Sequence, residues 1–599
     1  MKLEWDFSPL FSGDSDPKIE QNRKKWQSAT DTFIKKWKNR TDYLTKPSVL
    51  KEALDDYEAW SRRYGVEADE LYYFWLRSTQ DQLDTTIKAK FRAADAHSKN
   101  LINDTRFFEH ALAKIDKKTQ ELFLKSAELK AYRHVLERIF QTAKYLLSEE
   151  EERILTLKSA SAYESWVRMV SSFLSKEERE ILNEKGKKET KTFSDILSLL
   201  NSQNKKVRDD AARAFNDILA KHAELAEAEI NAILEDKKVN DTLRGYTRAD
   251  QSRHVADDME SEVVDAMLKA VKKAFSLSKD YYALKAALFG KKQLAYHERN
   301  VPFELEEKNY SFKEAAQLVT DVFSDLDKEF ADYLTSFIEN GQIDVFPKKG
   351  KTSGAFCAHG LITQPTYVLL NFTKKLSDVT TLAHEMGHAI NNELMKKKQH
   401  ALYFGTSLGT AECASTFMED FVFERLLKDA DDPTRLALLM EKLNSDVSSI
   451  MRQVACYQFE LELHKTYREK NYLSVQEIGA LFQKHMSAYM GPAVSNDEGS
   501  ENWWVYWGHI RRYFYNYSYA SGLLISKALQ KRVREQPEYI EQVKQFLSTG
   551  LFASPKETFA KIGIDISTPE FWSEGISEIQ RLFDQTKELA KKLGKTLRS

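Results

Sequence analysis

The chain has 599 residues, 42% hydrophobic and 30% charged, with 89 Lys plus Arg against 91 Asp plus Glu and a net charge of -2. That length implies several folding units with enough apolar mass for a sizeable core. The balanced charge lacks the basic excess of a nucleic-acid protein and any bulk attraction to anionic membranes, and no stretch approaches the roughly 20 apolar residues that span a bilayer. Glycine and proline number only 21 and 11, about half and about a third of average usage. Both interrupt helices, so their scarcity predicts a chain that is mainly α. Three cysteines, Cys357, Cys413 and Cys456, imply no disulfide framework. The opening Met1-Lys-Leu-Glu-Trp-Asp-Phe lacks the basic-then-apolar layout of a signal peptide. A cytoplasmic protein with no obligate protein partner is expected.

In chain order, the first 195 residues are dense in Lys, Glu, Leu, Ala and aromatics and are expected to form an N-terminal helical domain, residues 1–195. Ser148, followed by four glutamates, fits a helix N-cap with carboxylates favoured by the helix dipole. Asn183 to Lys191, with Gly186 among lysines, is a candidate boundary. Val263, Val264, Met267, Leu268, Val271 and Phe275 recur at helical spacing. Ser311-Phe-Lys-Glu314 forms a capping box ahead of Leu318, Val319, Val322 and Phe323. After Asn340 the texture changes, with Gly341, Pro347, Gly350, Gly354 and Gly360 close together. Residues 366–372 are rich in strand formers, so a small sheet is expected inside a helical protein. The polar break Ser377-Asp378 suits the N-cap of the next helix.

That helix reads Thr380-Thr-Leu-Ala-His-Glu-Met-Gly-His-Ala-Ile-Asn-Asn392. His384 and His388 are four residues apart, which stacks them on one helix face. Two imidazoles so placed can hold one zinc ion, and Glu385 beside them can take a proton from water. Leu382, Ala383, Met386, Ala389 and Ile390 make the helix largely apolar, so these polar groups need partners. Gly387 costs about 1 kcal/mol against Ala inside a helix, which close approach by another element would explain. A third ligand is expected, with one position left for water. Glu412 is the best downstream candidate. Glu419, two turns further on, can accept the other N–H of a ligand histidine. The bland alternative is two ordinary surface glutamates.

Here the chain resembles the M3 family of zinc peptidases, in its oligoendopeptidase F branch. The resemblance is carried by His384-Glu-Met-Gly-His388 followed by Ala411-Glu412-x-Ala-Ser415. It extends to Trp5-Asp-Phe-Ser-Pro-Leu-Phe11, Ser353-Gly-Ala-Phe-Cys357, Asn371-Phe372 and Phe514-Tyr-Asn-Tyr-Ser-Tyr519, nearly the whole chain. It strengthens Glu412 as the third zinc ligand and makes 196–599 the catalytic domain. It implies a two-lobed helical ellipsoid with a small β-sheet near the zinc helix and a deep substrate channel. It also implies endopeptidase action on short unstructured oligopeptides.

Peptide hydrolysis needs donors aimed at the oxyanion. Tyr515 and Tyr519 are four apart and would share a helix face. The resemblance points to His509, Tyr515 and Tyr519 for this role, with Tyr517 kept as an alternative. With 26 tyrosines in the chain, ordinary packing is the competing reading. Gly354, Ala355 and Phe356, with strand 366–372, are expected to offer backbone groups to an extended substrate. Cys357 and His359 read as local structure. Two rivals share the metal motif. A carboxypeptidase would need a cation such as Arg511 or Arg512 for the terminal carboxylate. A non-catalytic peptide binder with a structural metal would usually close its site with four protein ligands, often cysteine, and would leave Glu385 without a task.

Overall fold

The computed structural model describes residues 1–65, 68–303 and 308–595. It is mainly helical, with two small sheets among the described residues. The chain divides into two compact units, each assembled from three separate segments: Met1–Lys144, Glu307–Lys428 and Arg532–Ile564 in one, and Tyr145–Glu306, Asp429–Lys531 and Asp565–Ser599 in the other. Neither unit has a limit near residue 195. The stretch from Asn183 to Lys191 is the turn and most of the second strand of a hairpin, Glu178–Leu182 with Lys188–Thr192, inside the second unit.

Local signals account for many helix starts. Ser148 caps helix Glu149–Ser159, with Glu151 reaching back to the Ser148 N–H at 2.9 Å. Ser311 does the same for Phe312–Leu326, with the Glu314 carboxylate 2.8 Å from the Ser311 N–H. The apolar stripe from Val263 to Val271 is buried along Ser261–Lys273, and Phe275 opens the next helix, Phe275–Leu288.

In the first unit a three-stranded sheet lies beside the helix that carries the histidines. Tyr367–Leu369 is its central strand. It is parallel to Ile343–Asp344 and antiparallel to Phe356–Ala358. Ile343–Asp344 and Phe356–Ala358 are therefore the edge strands, and the strand within 366–372 is paired on both sides. The N-terminal segment braces this sheet: Trp5 Nε1 donates to the Val368 carbonyl at 2.9 Å, and the Tyr367 hydroxyl donates to the Asp6 carbonyl at 2.8 Å. Trp5, Tyr72, Leu76, Ala358, Tyr367 and Leu369 form one buried cluster. Among the described residues no helix is long and apolar enough to cross a membrane.

Candidate metal centre and aromatic cluster

The histidine helix runs from Leu376 to Lys398. Its N-cap is Lys375. The expected cap, Ser377-Asp378, falls in the first turn, where the Asp378 carboxylate accepts the N–H of Thr373 at 2.6 Å and of Lys375 at 3.0 Å. Val379, Leu382, Ala383, Met386, Ala389 and Ile390 are fully buried. The imidazoles of His384 and His388 keep 27% and 25% of their surface exposed, so a ligand can reach them.

Gly387 explains how a second helix arrives. A Cβ there would sit 2.6 Å from the Ala414 carbonyl oxygen and 2.6 Å from the Ser415 Cα. The start of helix Cys413–Asp429 thus packs backbone to backbone against Gly387. Glu412 stands just ahead of this helix. Its carbonyl accepts the Thr416 N–H at 3.1 Å, and the Ser415 hydroxyl holds its Oε2 at 2.9 Å.

Glu412 Oε2 lies 3.3 Å from His384 Nε2 and 3.4 Å from His388 Nε2. Two N or O atoms bound about 2.05 Å from one tetrahedral ion are about 3.3 Å apart. Glu412 Oε2 stands at that spacing from both imidazoles, and one donor atom from each of the three residues lies within 4.8 Å of the others, a donor set that suits zinc. Glu419 Oε2 meets the other nitrogen of His384, Nδ1, at 2.9 Å, which fixes the ring's orientation.

These groups are ion-paired with one another. Burial favours the neutral form of His384, but hydrogen bonds to Glu412 and Glu419 outweigh it and raise the imidazole to about 10. Burial likewise opposes the charge on Glu412, yet His384 and His388 hold its carboxyl far below the usual range. Glu385 is 7% exposed. Burial raises its carboxyl above the ordinary value, partly offset by His384, His388 and the N–H of Cys357. Cys357 is on the edge strand Phe356–Ala358, so this bond ties Glu385 to the sheet. Of the backbone candidates, the Gly354 carbonyl is already taken by Asn371 Nδ2 at 2.7 Å. Ala355 is half-buried ahead of the strand, and Phe356 begins it, its ring 5.6 Å from Trp75.

A second group among the described residues, Asp209, His297 and Glu298, is also close enough to share an ion. Arg208 and Lys291 already neutralise Glu298, and Lys205 neutralises Asp209. Among the described residues, the ion pairs of Glu412 are with His384 and His388 alone.

The remaining candidates lie in the second unit. His509 sits on a short turn, Gly508–Arg512. Its Nε2 is 2.9 Å from the Tyr519 hydroxyl, and its ring stacks on Tyr515 at 5.9 Å. Tyr513 and Phe514 both have left-handed φ, 45° and 57°. The Glu460 carboxylate holds this bend, accepting the Phe514 N–H at 3.0 Å. Tyr517 is 1% exposed and donates to Asp257 at 2.7 Å, so its hydroxyl is engaged in the interior. Arg511 has all five donors engaged, on both oxygens of Glu229 and on the carbonyls of Trp504, Val505 and Trp507. It has no donor left for a substrate carboxylate, which leaves Arg512, exposed and 5.7 Å from the Tyr515 ring, as the cation of the carboxypeptidase reading. Sequence reasoning misses three supporting contacts: the Ser415 hydroxyl on Glu412, the Cys357 N–H on Glu385, and Trp507, whose indole N–H donates to His509 Nδ1 at 2.9 Å. Only Ser415 carries a signal, its three-residue spacing from Glu412.

Comparison with known proteins gives one answer along the chain. A family model described as Peptidase family M3 matches residues 198–578, and one described as Oligopeptidase F matches 112–172. The chain is 24% identical to an oligoendopeptidase F homolog of Lactococcus lactis subsp. lactis, over 99% of this chain and 98% of the relative. It is 24% identical to oligopeptidase PepF of Bacillus subtilis, over 98% and 87%. Its fold is shared with a solved chain from Chlamydophila abortus, at a TM-score of 0.86 and 22% identity over 98% of each chain. It is also shared with oligoendopeptidase-F from Enterococcus faecium, at a TM-score of 0.70 and 19% identity over 96% and 99%.

Proposed function

The chain belongs to peptidase family M3 and is a metallo-oligopeptidase, and on that premise we propose a zinc endopeptidase that cuts short unstructured oligopeptides at His384, Glu385, His388 and Glu412. The observation that carries this reading is the convergence of three donor atoms, with Glu412 Oε2 at tetrahedral-edge spacing from both imidazoles. Bound there, zinc would supply Lewis-acid activation of water and of the scissile carbonyl.

Glu385 is the general base: one carboxylate oxygen takes the proton of the attacking water and returns it to the leaving nitrogen. A carboxyl raised by burial suits a group that must accept a proton and then give it up. Glu419 orients His384. The edge strand Phe356–Ala358 is the element suited to pair with an extended substrate through its backbone, with Gly354 and Ala355 leading into it. Backbone pairing tolerates many side chains, as an oligopeptidase needs. His509 and Tyr519, with Tyr515 stacked beside them, are the donors assigned to the oxyanion.

The division at residue 195 into an N-terminal helical domain and a catalytic domain is proposed in the family's sense. The two family matches, ending at 172 and starting at 198, support it. The proposed compartment is the cytoplasm, which would keep the three free cysteines reduced.

The test is a quenched peptide blocked at both ends, with metal content measured on the same samples. The wild type is expected to carry about one zinc and cut internally. Glu385→Gln is expected to keep the zinc and lose roughly 10²-fold or more in kcat. A metal-loaded Glu385→Gln protein that cuts at the wild-type rate would refute the assignment.

A further inference from the structure

We propose that Trp507 is a positioning residue: its indole N–H fixes His509 as the neutral tautomer protonated on Nε2, and this sets the direction in which the Tyr519 hydroxyl gives its proton.

The basis is what each atom can do. An indole nitrogen donates and never accepts. Trp507 Nε1 is 2.9 Å from His509 Nδ1, so Nδ1 must accept and cannot carry a hydrogen. The neutral ring then has its hydrogen on Nε2, which points at the Tyr519 oxygen 2.9 Å away. Tyr519 receives that hydrogen bond. Its own hydroxyl hydrogen therefore goes to an acceptor other than His509. The opposite tautomer and the imidazolium would both set an Nδ1–H against the indole N–H.

The surroundings hold this arrangement. Trp507 is 6% exposed. The Arg452 guanidinium stacks 4.7 Å from its ring, Phe482 packs at 6.0 Å, and its carbonyl is held by Arg511. The charged groups acting on His509 are Arg512 and Arg452, both cationic, and its ring neighbours Tyr515 and Tyr519 are phenols. Burial, followed by these two positive charges, keeps the imidazole below its ordinary value.

The tautomer follows from geometry alone. Its catalytic consequence rests on the proposed function, in which His509 and Tyr519 serve the oxyanion. A histidine that stays neutral and donates one way makes Tyr519 a directed donor without placing a formal charge beside it.

The test uses the full chain labelled with ¹⁵N-histidine, with the His509 signals assigned by their loss in His509→Asn. In the wild type at pH about 7 the bare nitrogen is expected to be Nδ1, and the proton is expected on Nε2. Trp507→Phe keeps the aromatic packing and removes the donor. It is expected to raise the His509 titration midpoint by roughly one pH unit. The acid limb of kcat/KM on the doubly blocked peptide should move up by the same amount, with KM unchanged. A wild-type spectrum with the proton on Nδ1 overturns the proposal, as does a Trp507→Phe protein whose midpoint and acid limb do not move. The wild-type spectrum requires neither the variant's folding nor peptidase activity, so failure of the tautomer and failure of the proposed function are distinguishable.

Discussion

Gly387→Ala is the smallest change that tests how the metal centre is assembled. The added methyl would lie 2.6 Å from the Ala414 oxygen and the Ser415 Cα and 2.9 Å from the Ala414 carbon. These are backbone atoms, so no side chain can swing aside. Reaching ordinary contact at 3.4 Å requires the two helices to part by about 0.8 Å. Metal–ligand distances tolerate only about 0.2 Å, so Glu412 would move out of reach of an ion held by the two histidines. Losing an aligned ligand should cost at least the roughly 10–100-fold seen when a supporting group is lost. The fold should suffer much less. Overpacking costs about 1–3 kcal/mol, while Ala in place of Gly returns about 1 kcal/mol of helix propensity. Zinc competition against a chromophoric chelator gives the affinity, and a thermal melt in excess chelator gives the stability. A variant that binds zinc as tightly as the wild type would refute the claim that backbone contact at Gly387 places Glu412.

The other expectations concern partners and protons. Glu419→Ala removes the acceptor 2.9 Å from His384 Nδ1 and should weaken zinc roughly 10–100-fold, with KM unchanged once zinc is saturating; unchanged competition curves would count against it. Zinc affinity should climb about tenfold per pH unit between about pH 7 and 9. His384 holds a proton up to about 10 in the metal-free protein and must release it to bind, so a flat profile would contradict this. In chelator, the raised His384 value contributes stability that is complete below about 6.5 and is lost as pH rises through about 10. The lowered Glu412 carboxyl acts in the opposite sense, its contribution fading as the solution becomes acid. Melting temperature in chelator should therefore fall on the alkaline side, and a constant value would show that the pairs contribute little.

Sequence spacing was a good guide wherever the cause is local. His384 and His388 share a face because a helix has 3.6 residues per turn, and Gly387 stood out because a helix interior normally disfavours glycine. Glu412 could be nominated, but its place just ahead of the helix, held by Ser415, follows from the crossing at Gly387. The edge strands could not be identified: strands of two and three residues carry almost no alternation, and their order depends on partners such as Trp5 that are hundreds of residues away. The meeting of His509 with Tyr519 was equally hidden. It depends on left-handed Tyr513 and Phe514, where no glycine or asparagine advertises the bend. A buried carboxylate from a distant helix, Glu460, supplies the restraint instead.

The charges at the candidate metal centre are mutually paired. Glu412 and Glu419 both face His384, and an unpaired carboxylate in this half-buried position would be costly. In the metal-free protein the proton on His384 supplies the missing positive charge, held by the same two carboxylates. In the proposed site zinc would take the place of that proton and again present the two glutamates with a cation, so uptake would release a proton from His384 and depend on pH.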